Sequence, residues 1–407
     1  MNITVISTGE ELLRGAVVNT DLAETGRRLL AAHLPVARAL TAGDSRASLL
    51  EAISDGVRGA DVLLISGGLG PTEDDLTRSA AAEFFGLPLV RNADIAGRLR
   101  RYYRQHHGTG RIPKGLFSQA DVPEGAEVLA NANGSAPGLC WQSRYGGRTV
   151  QIFLLPGPPH ELVPMLEKDV IPRLAAQYCG RNVTARFLVE GAGELDVERR
   201  LTEAGCPVER AYCAVPGGTK LFLTGTEEAV QQAGKLAEKL FGKDLSTASD
   251  PAEACVRRLA RAHLTLGLAE SCTGGLIASQ ITAVSGASEV FSGGIVSYAN
   301  EVKQQVLGVP EPVLREFGAV SRECALAMAE GAARVLHADI AGAVTGIAGP
   351  GGGSPSKPVG LVWIAVAFRG EVTAQECRFR GDRETVRRRS AAALLELIRQ
   401  RILSEIP

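Results

Sequence analysis

The sequence predicts an α/β protein: two large α/β domains with mostly parallel sheets, joined by a small α+β module. Three observations carry this. Short, wholly apolar runs alternate with stretches of helical periodicity at both ends of the chain, the pattern of strands and helices that builds a parallel sheet covered on two faces. The 407 residues suffice for two to three domains. Between the two ends lies a shorter set of strand-like and helix-like pieces, closed by Asp250-Pro251, where proline pushes the preceding residue out of helix. The expected domains are residues 1–167, 168–249 and 250–407.

In the first domain "NITVIST" is a strand, "LAETGRRLLAAH" and "ASLLEAISDGVRGA" are helices, and "DVLLISGG" and "TVQIFLLPG" are buried strands. In the middle, strand "TARFLVEG", helix "GELDVERRLTEAG", strand "TKLFLTG" and helix "TEEAVQQAGKLAEKLFG" make a small module. The third domain opens with helix "PAEACVRRLARAH". It continues through strand "LTLGLAE", helix "LIASQITAV", strand "GGIVSYA" and helices "NEVKQQVLG" and "RECALAMAEGAARVLH". Strands "DIAGAVTG" and "GLVWIAVAF" and a terminal helix complete it.

Composition narrows the function. The formal net charge of −1 argues against a protein that holds nucleic acid by electrostatics, and Arg387-Arg388-Arg389 fits a solvated helix face. Met1-Asn2 leads straight into an apolar strand without a basic leader, and no run approaches the ~20 apolar residues of a membrane span. The eight cysteines are scattered, with no C-x-x-C pair, which suits a reducing compartment. The expectation is a cytoplasmic protein with no membrane partner and no direct nucleic-acid contact.

Ligands of open α/β sheets bind beyond the C-terminal strand ends, where "STGEELLRG", "SGGLGPTEDD" and "LPGPPHE" fall. In "SGGLGPTEDDLT", Gly67, Gly68 and Gly70 let backbone amides approach an anion, with Thr72 beside them, and Asp74 and Asp75 supply carboxylates. Amides for phosphate and a carboxylate for metal suit a magnesium–phosphate site; a strand–loop–helix turn with acidic residues at a helix start explains the same letters. Asp44 in "TAGDS", Asn133 and Ser135 in "NANGSAPG", and Glu10, Glu11, Asn19 and Asp21 accompany it. The middle module offers no convergent chemistry. Its Pro216-Gly217-Gly218-Thr219 is a turn and not the helix-flanked loop of an RNA-binding KH fold, so the module reads as a linker or dimer-building element, and a homodimer is expected.

In the third domain "LAESCTGG" lies between a strand and a helix. Ser271, Thr273, Gly274 and Gly275 suit a phosphate cradle at a helix N-terminus, an exposed serine nucleophile, or a simple helix cap. Downstream come Ser288 in a Gly-Ala-Ser loop, Tyr298 at a strand end, and Asn300 as helix cap, which puts Lys303 at the third helical position. A lysine there is disfavoured as a cation by the helix dipole, and partial burial pushes it the same way. A partly neutral lysine serves as general base to a serine. Thr345, Gly346 and Gly349 in "VTGIAGPGGG" add strand-end amides, and Arg383 in "GDRETVR" adds a fork-shaped donor for phosphate or carboxylate. Cys272 has nothing basic in its local sequence to make it a thiolate.

These motifs resemble a known family. Residues 1–165 are similar to the molybdopterin-binding domain of the MoaB/MogA/MoeA type, in the variant that opens the competence/damage-inducible protein A (CinA) family, with Gly67-Gly68-Leu69-Gly70 where molybdopterin proteins carry GGTG. "AESCTGG", "GASEVFSGGIVSYANEVK", "TGIAGPGGG", "KPVGLVWIA" and "GDRETVR" resemble the CinA C-terminal domain, found alone as the nicotinamide-nucleotide amidase PncC. The resemblance implies hydrolysis of nicotinamide mononucleotide to nicotinic acid mononucleotide and ammonia in the third domain, without a cofactor. In the first it implies hydrolysis of a pyrophosphate such as ADP-ribose, with Mg²⁺ or another divalent cation and with potassium as a candidate second cation. Carried over to this chain, Ser288 is the expected nucleophile, Lys303 its base and Tyr298 an assistant, while Ser271 with Thr273–Gly275 positions the nucleotide. Asp75, then Asp44, are the expected metal ligands. The alternatives are a scaffold in DNA uptake or damage, and nucleotide binding without turnover in the first domain.

Overall fold

Ile3–Thr8 and Val62–Ser66 are buried at every position, because each strand is covered on both faces. Successive side chains serve opposite sides: Leu63 and Ile65 join one hydrophobic cluster, Val62 and Leu64 the other. The computed structural model describes residues 1–107, 113–177 and 182–405. Its chain forms two units, Met1–Thr184 and Ala185–Pro407.

The first unit is built on a six-stranded sheet in the order Val36–Ala42, Ile3–Thr8, Val62–Ser66, Arg148–Leu155, Gly138–Tyr145, Glu127–Leu129. The first four are parallel; each of the last two pairs antiparallel with the strand before it in this order. The antiparallel edge comes from a two-residue turn, Gly146-Gly147, with φ of 55° and 80°. Positive φ at both positions matches a hairpin's twist. The first unit also continues past the expected boundary at 167. Pro159–Met165, a π turn Leu166–Val170 and Ile171–Gln177 follow without a break, and Val170 and Leu174 are buried in the core.

In the second unit a four-stranded sheet, Glu209–Val215, Gly218–Thr226, Asn182–Glu190, Leu245–Ser246, accompanies helices Glu194–Glu203 and Glu227–Phe241. The Pro216-Gly217 turn joins two antiparallel strands, with Gly217 at φ 91°. The other sheet has the order Phe291–Val296, Leu266–Glu270, Ile340–Gly346, Leu361–Phe368, Glu371–Arg378. Its first three strands are parallel, and a two-residue turn, Arg369-Gly370, turns the last into an antiparallel edge. Leu268 and Val344 pack toward helices Pro251–Ala262 and Arg383–Glu405, whereas Ala269 and Ala343 pack toward Arg322–Leu336. Ion pairs of 2.6 Å, Arg258 to Glu190 and Arg399 to Asp244, fasten the small sheet to this one. Among the described residues no helix is long and apolar enough to cross a membrane.

Candidate active sites

The strand Leu266–Glu270 delivers Ser271 to the C-terminal edge of its sheet. There the chain turns through Gly274 and Gly275 into helix Leu276–Thr282. Strand register sets what meets Ser271. Glu270 pairs with Val296 in the parallel neighbour, so Ser297 and Tyr298 leave the sheet beside Ser271. The following helix, Asn300–Gln305, folds Lys303 back over them.

Lys303 is 1% exposed. Its Nζ lies 3.2 Å from Ser271 Oγ, 2.6 Å from the Ser297 carbonyl and 3.3 Å from the Tyr298 carbonyl. Burial pushes the amine below the usual lysine range, and no carboxylate pairs with it among the described residues. A neutral amine has two N–H groups and one lone pair. As an ammonium Nζ donates to all three oxygens; in the neutral form the two carbonyls would take its hydrogens and the lone pair would face the Ser271 hydroxyl. The cap before this helix is Ala299, not Asn300, and Lys303 stands one position further in than the sequence suggests, so desolvation rather than a first-turn dipole lowers its charge.

Glu270, 1% exposed, shapes the turn. Its carboxylate accepts from the N–H groups of Gly275 at 2.9 Å, Ile277 at 3.2 Å and Ala278 at 2.8 Å. The helix start expected to cradle phosphate is therefore capped by the protein's own carboxylate. Thr273 is fully buried and its carbonyl accepts from Arg387 at 2.8 Å, so Thr273, Gly274 and Gly275 form a built turn. Cys272 is buried, which pushes its thiol up to about 12.

Arg383 joins two loops: it donates to the Gly349 carbonyl at 2.8 Å and to the Tyr298 hydroxyl at 3.2 Å. The Thr345 hydroxyl donates to the Ala319 carbonyl, and a Cβ on Gly346 would fall 2.9 Å from the Leu361 carbonyl. Ser288 lies elsewhere. It sits in the turn Ala287–Glu289, before the strand Phe291–Val296, in a separate hollow with Thr282, Val284 and Phe291. Lys303 follows that strand's other end. A six-residue strand spans roughly 20 Å. The structure brings Lys303 to Ser271 and not to Ser288.

The first unit carries a cavity of about 630 Å³ at the C-terminal ends of its parallel strands. Gly67, Gly68, Gly70, Asp44, Asp74, Asp75 and Ser135 line it as expected; Thr72 and Asn133 are not among its lining residues. A Cβ on Gly67 would fall 2.6 Å from Thr8 Oγ1, so the loop passes where a side chain does not fit. Six carboxylates line the cavity (Glu11, Asp21, Asp44, Asp74, Asp75, Glu161), and no lysine, arginine or histidine does. Burial and the neighbouring Glu11, Asp74 and Glu10 raise Asp44, whose Oδ2 accepts the Glu10 N–H at 2.8 Å. Burial lifts Asp21 to about 6, with Glu11 adding to the shift. Asp75 turns inward: its oxygens accept from the amides of Gly70 at 2.8 Å and Thr72 at 2.9 Å, and from the Thr72 hydroxyl. Asn133 donates to the His160 carbonyl at 2.7 Å.

A family model described as "CinA C-terminal domain" matches residues 248–402, and one described as "Probable molybdopterin binding domain" matches residues 4–176. A CinA-like protein of Akkermansia muciniphila is 42% identical over 100% of this chain and 99% of its own length. The chain belongs to the CinA family. A second relative, a putative competence-damage inducible protein of Caldicellulosiruptor bescii, is 39% identical over 98% of each chain. The solved structure of the competence/damage inducible protein CihA from Agrobacterium tumefaciens is 44% identical, covering 38% of this chain and 96% of its own, with a TM-score of 0.36.

In this CinA-family chain, among the described residues, no three of His, Cys, Asp and Glu converge to cage a metal ion alone. The cavity still fits one shared with a ligand. Asp74, held ionised by hydrogen bonds from the Thr72 side chain and the backbone, adds to the cost of ionising Asp44, which a cation relieves, and magnesium is ordinarily held by one or two carboxylates plus phosphate oxygens. Asp75, with both oxygens already engaged, is the poorer ligand. The sequence does not point to Glu270 or Ser297, and it places Arg387 on a solvated helix face, whereas that guanidinium donates to the Thr273 carbonyl. For Glu270 the only available signal was a carboxylate immediately before the Ser271 turn.

Proposed function

We propose that the chain is a two-site hydrolase of pyridine-nucleotide turnover. The second unit converts nicotinamide mononucleotide to nicotinic acid mononucleotide and ammonia, and the first splits a nucleotide pyrophosphate such as ADP-ribose. The observation that supports the amidase reading is the buried Lys303 amine 3.2 Å from Ser271 Oγ. Ser271 is the nucleophile on this reading, in place of Ser288.

Lys303 takes the Ser271 proton as Oγ adds to the carboxamide carbon. The same proton passes to the departing nitrogen, and ammonia leaves an acyl ester on Ser271. Water then adds to the ester, giving its proton to Lys303, and the carboxylic acid is released as Ser271 regains a proton. The carbonyls of Ser297 and Tyr298 hold the amine in line throughout. Arg383, fixed between Gly349 and Tyr298, is the group for the nucleotide's phosphate, with the Tyr298 ring beside it.

In the first unit Asp44 and Asp74 would hold the divalent cation, and Asp75 keeps the Gly70–Thr72 loop in shape. When bound, the metal's part is to neutralise phosphate charge, which no side chain lining this cavity does.

Ammonia release from nicotinamide mononucleotide is the test. Ser271→Ala and Lys303→Ala are expected to lose it and Ser288→Ala to keep it. Full activity in Ser271→Ala overturns the assignment, and no ammonia from the unaltered protein overturns the substrate.

A further inference from the structure

Gln119 stands next to last in the turn Lys114–Ala120, is completely buried, and lines the first-unit cavity. Its Nε2 donates to the Leu69 carbonyl at 3.5 Å. That carbonyl also accepts from the buried Arg78 guanidinium. A carbonyl facing two donors fixes which way the amide points: the nitrogen toward Leu69, the oxygen away from it. Among the described residues nothing donates to Gln119 Oε1.

A buried, unpartnered amide oxygen costs stability, and native proteins keep few of them without a use. This one's residue lines a cavity rich in carboxylates, and the hydroxyls there, of Thr8, Thr20 and Ser135, make no hydrogen bond to it. The partner must arrive with the ligand. Phosphate oxygens accept and do not donate near neutral pH, so they would be repelled by Oε1. The group that meets it belongs to the other part of the ligand.

We propose that Gln119 is a specificity-determining residue of this cavity, its Oε1 accepting a hydrogen bond from an N–H or O–H of the nucleoside part of the ligand. The proposal rests on the reading that the cavity holds a nucleotide pyrophosphate with a divalent cation. It adds how the phosphate-free end is read. A site that hydrogen-bonds a ligand donor discriminates strongly against ligands that lack one.

The test is calorimetric binding to the full chain with Mg²⁺, using two probes: the non-hydrolysable α,β-methylene analogue of ADP-ribose, and inorganic pyrophosphate, which has no nucleoside. In Gln119→Met the analogue is expected to bind about tenfold more weakly, while pyrophosphate stays within about twofold. Unchanged affinity for the analogue overturns the proposal alone. Equal weakening of both probes also overturns it, because it marks a distorted cavity rather than a lost acceptor. An unaltered protein that does not bind the analogue overturns the nucleotide reading and this proposal with it. Should Gln119→Met fail to fold, Gln119→Asn, which withdraws the same atoms by one methylene, gives the same comparison.

Discussion

Each unit has a glycine-rich turn at a strand end, and in each a nearby carboxylate occupies that turn's amides. Asp75 takes the N–H groups of Gly70 and Thr72; Glu270 takes those of Gly275, Ile277 and Ala278. What would be an anion cradle becomes a locked loop in both. Beyond that the two sites part. The second unit buries a lysine against a serine, so the proposed nucleophile and base are already in contact. The first leaves a roomy cavity lined by six carboxylates and no basic side chain, so on the proposed reading a phosphate ligand would need a cation to enter. On the proposed reading one site carries its own chemistry and the other imports charge.

The largest effects should come from the preassembled pair. Lys303→Ala and Ser271→Ala are each expected to lower kcat for deamidation by about 10³-fold, the scale for losing a general base or a nucleophile, with the double variant no worse than either. The pH profile carries the sign of Lys303. Only the neutral amine accepts the proton, so activity rises with pH through the lowered folded pKa and then levels. Stability follows the same direction. The unfolded lysine keeps its proton up to the ordinary value, so stability climbs between the folded pKa and that value and is flat below both. A deamidase rate that falls with rising pH across that window would remove Lys303 as base.

Chelation should separate the two sites next. EDTA is expected to reduce ADP-ribose hydrolysis by at least about a hundredfold and to leave deamidation unchanged. Asp44→Asn should weaken the metal requirement's concentration curve by about tenfold, and Asp75→Asn should act mainly by loosening its loop. If EDTA leaves both activities alone, the charge argument for the first cavity fails. If it removes both, the contrast between the sites fails.

Much of this was legible in the sequence, and the misses have physical causes. "NITVIST" and "DVLLIS" are buried strands because apolar residues on both faces leave no alternation to find. The antiparallel edges depend on two-residue turns, Gly146-Gly147 and Arg369-Gly370, whose positive φ is a local signal outweighed by the alternating pattern around them. Ser271 and Lys303 are both legible as site residues, but the pairing of Lys303 with Ser288 rests on the family resemblance, and the structure places Lys303 against Ser271. Chain order held the answer. Ser288 precedes its strand and Ser271 follows a parallel one, so they lie at opposite ends of the sheet, and ligands bind at the C-terminal ends. The carboxylates on Asp75 and Glu270 were less legible, since their amides lie up to eight residues away and meet them only after the turn has formed.

The smallest effect belongs to the feature the two units share. Glu270→Gln keeps the shape of the side chain but replaces one carboxylate oxygen with an NH₂, so a donor now faces the amide donors of helix Leu276–Thr282. The carboxylate's three hydrogen bonds cannot all survive. Bonds to a charged group are worth more than neutral ones, so the variant should lose about 1–3 kcal/mol in urea unfolding. Deamidation should fall far less than in Lys303→Ala, because Ser297 and Tyr298 still hold the amine. Glu270→Asp, one methylene short, should recover part of the stability, since it keeps an acceptor-only group. A stable Glu270→Gln protein would mean that the turn holds without its clip. The amides of Gly275 and Ile277 would then be free for a ligand's phosphate after all, and the second unit would resemble the open cavity of the first.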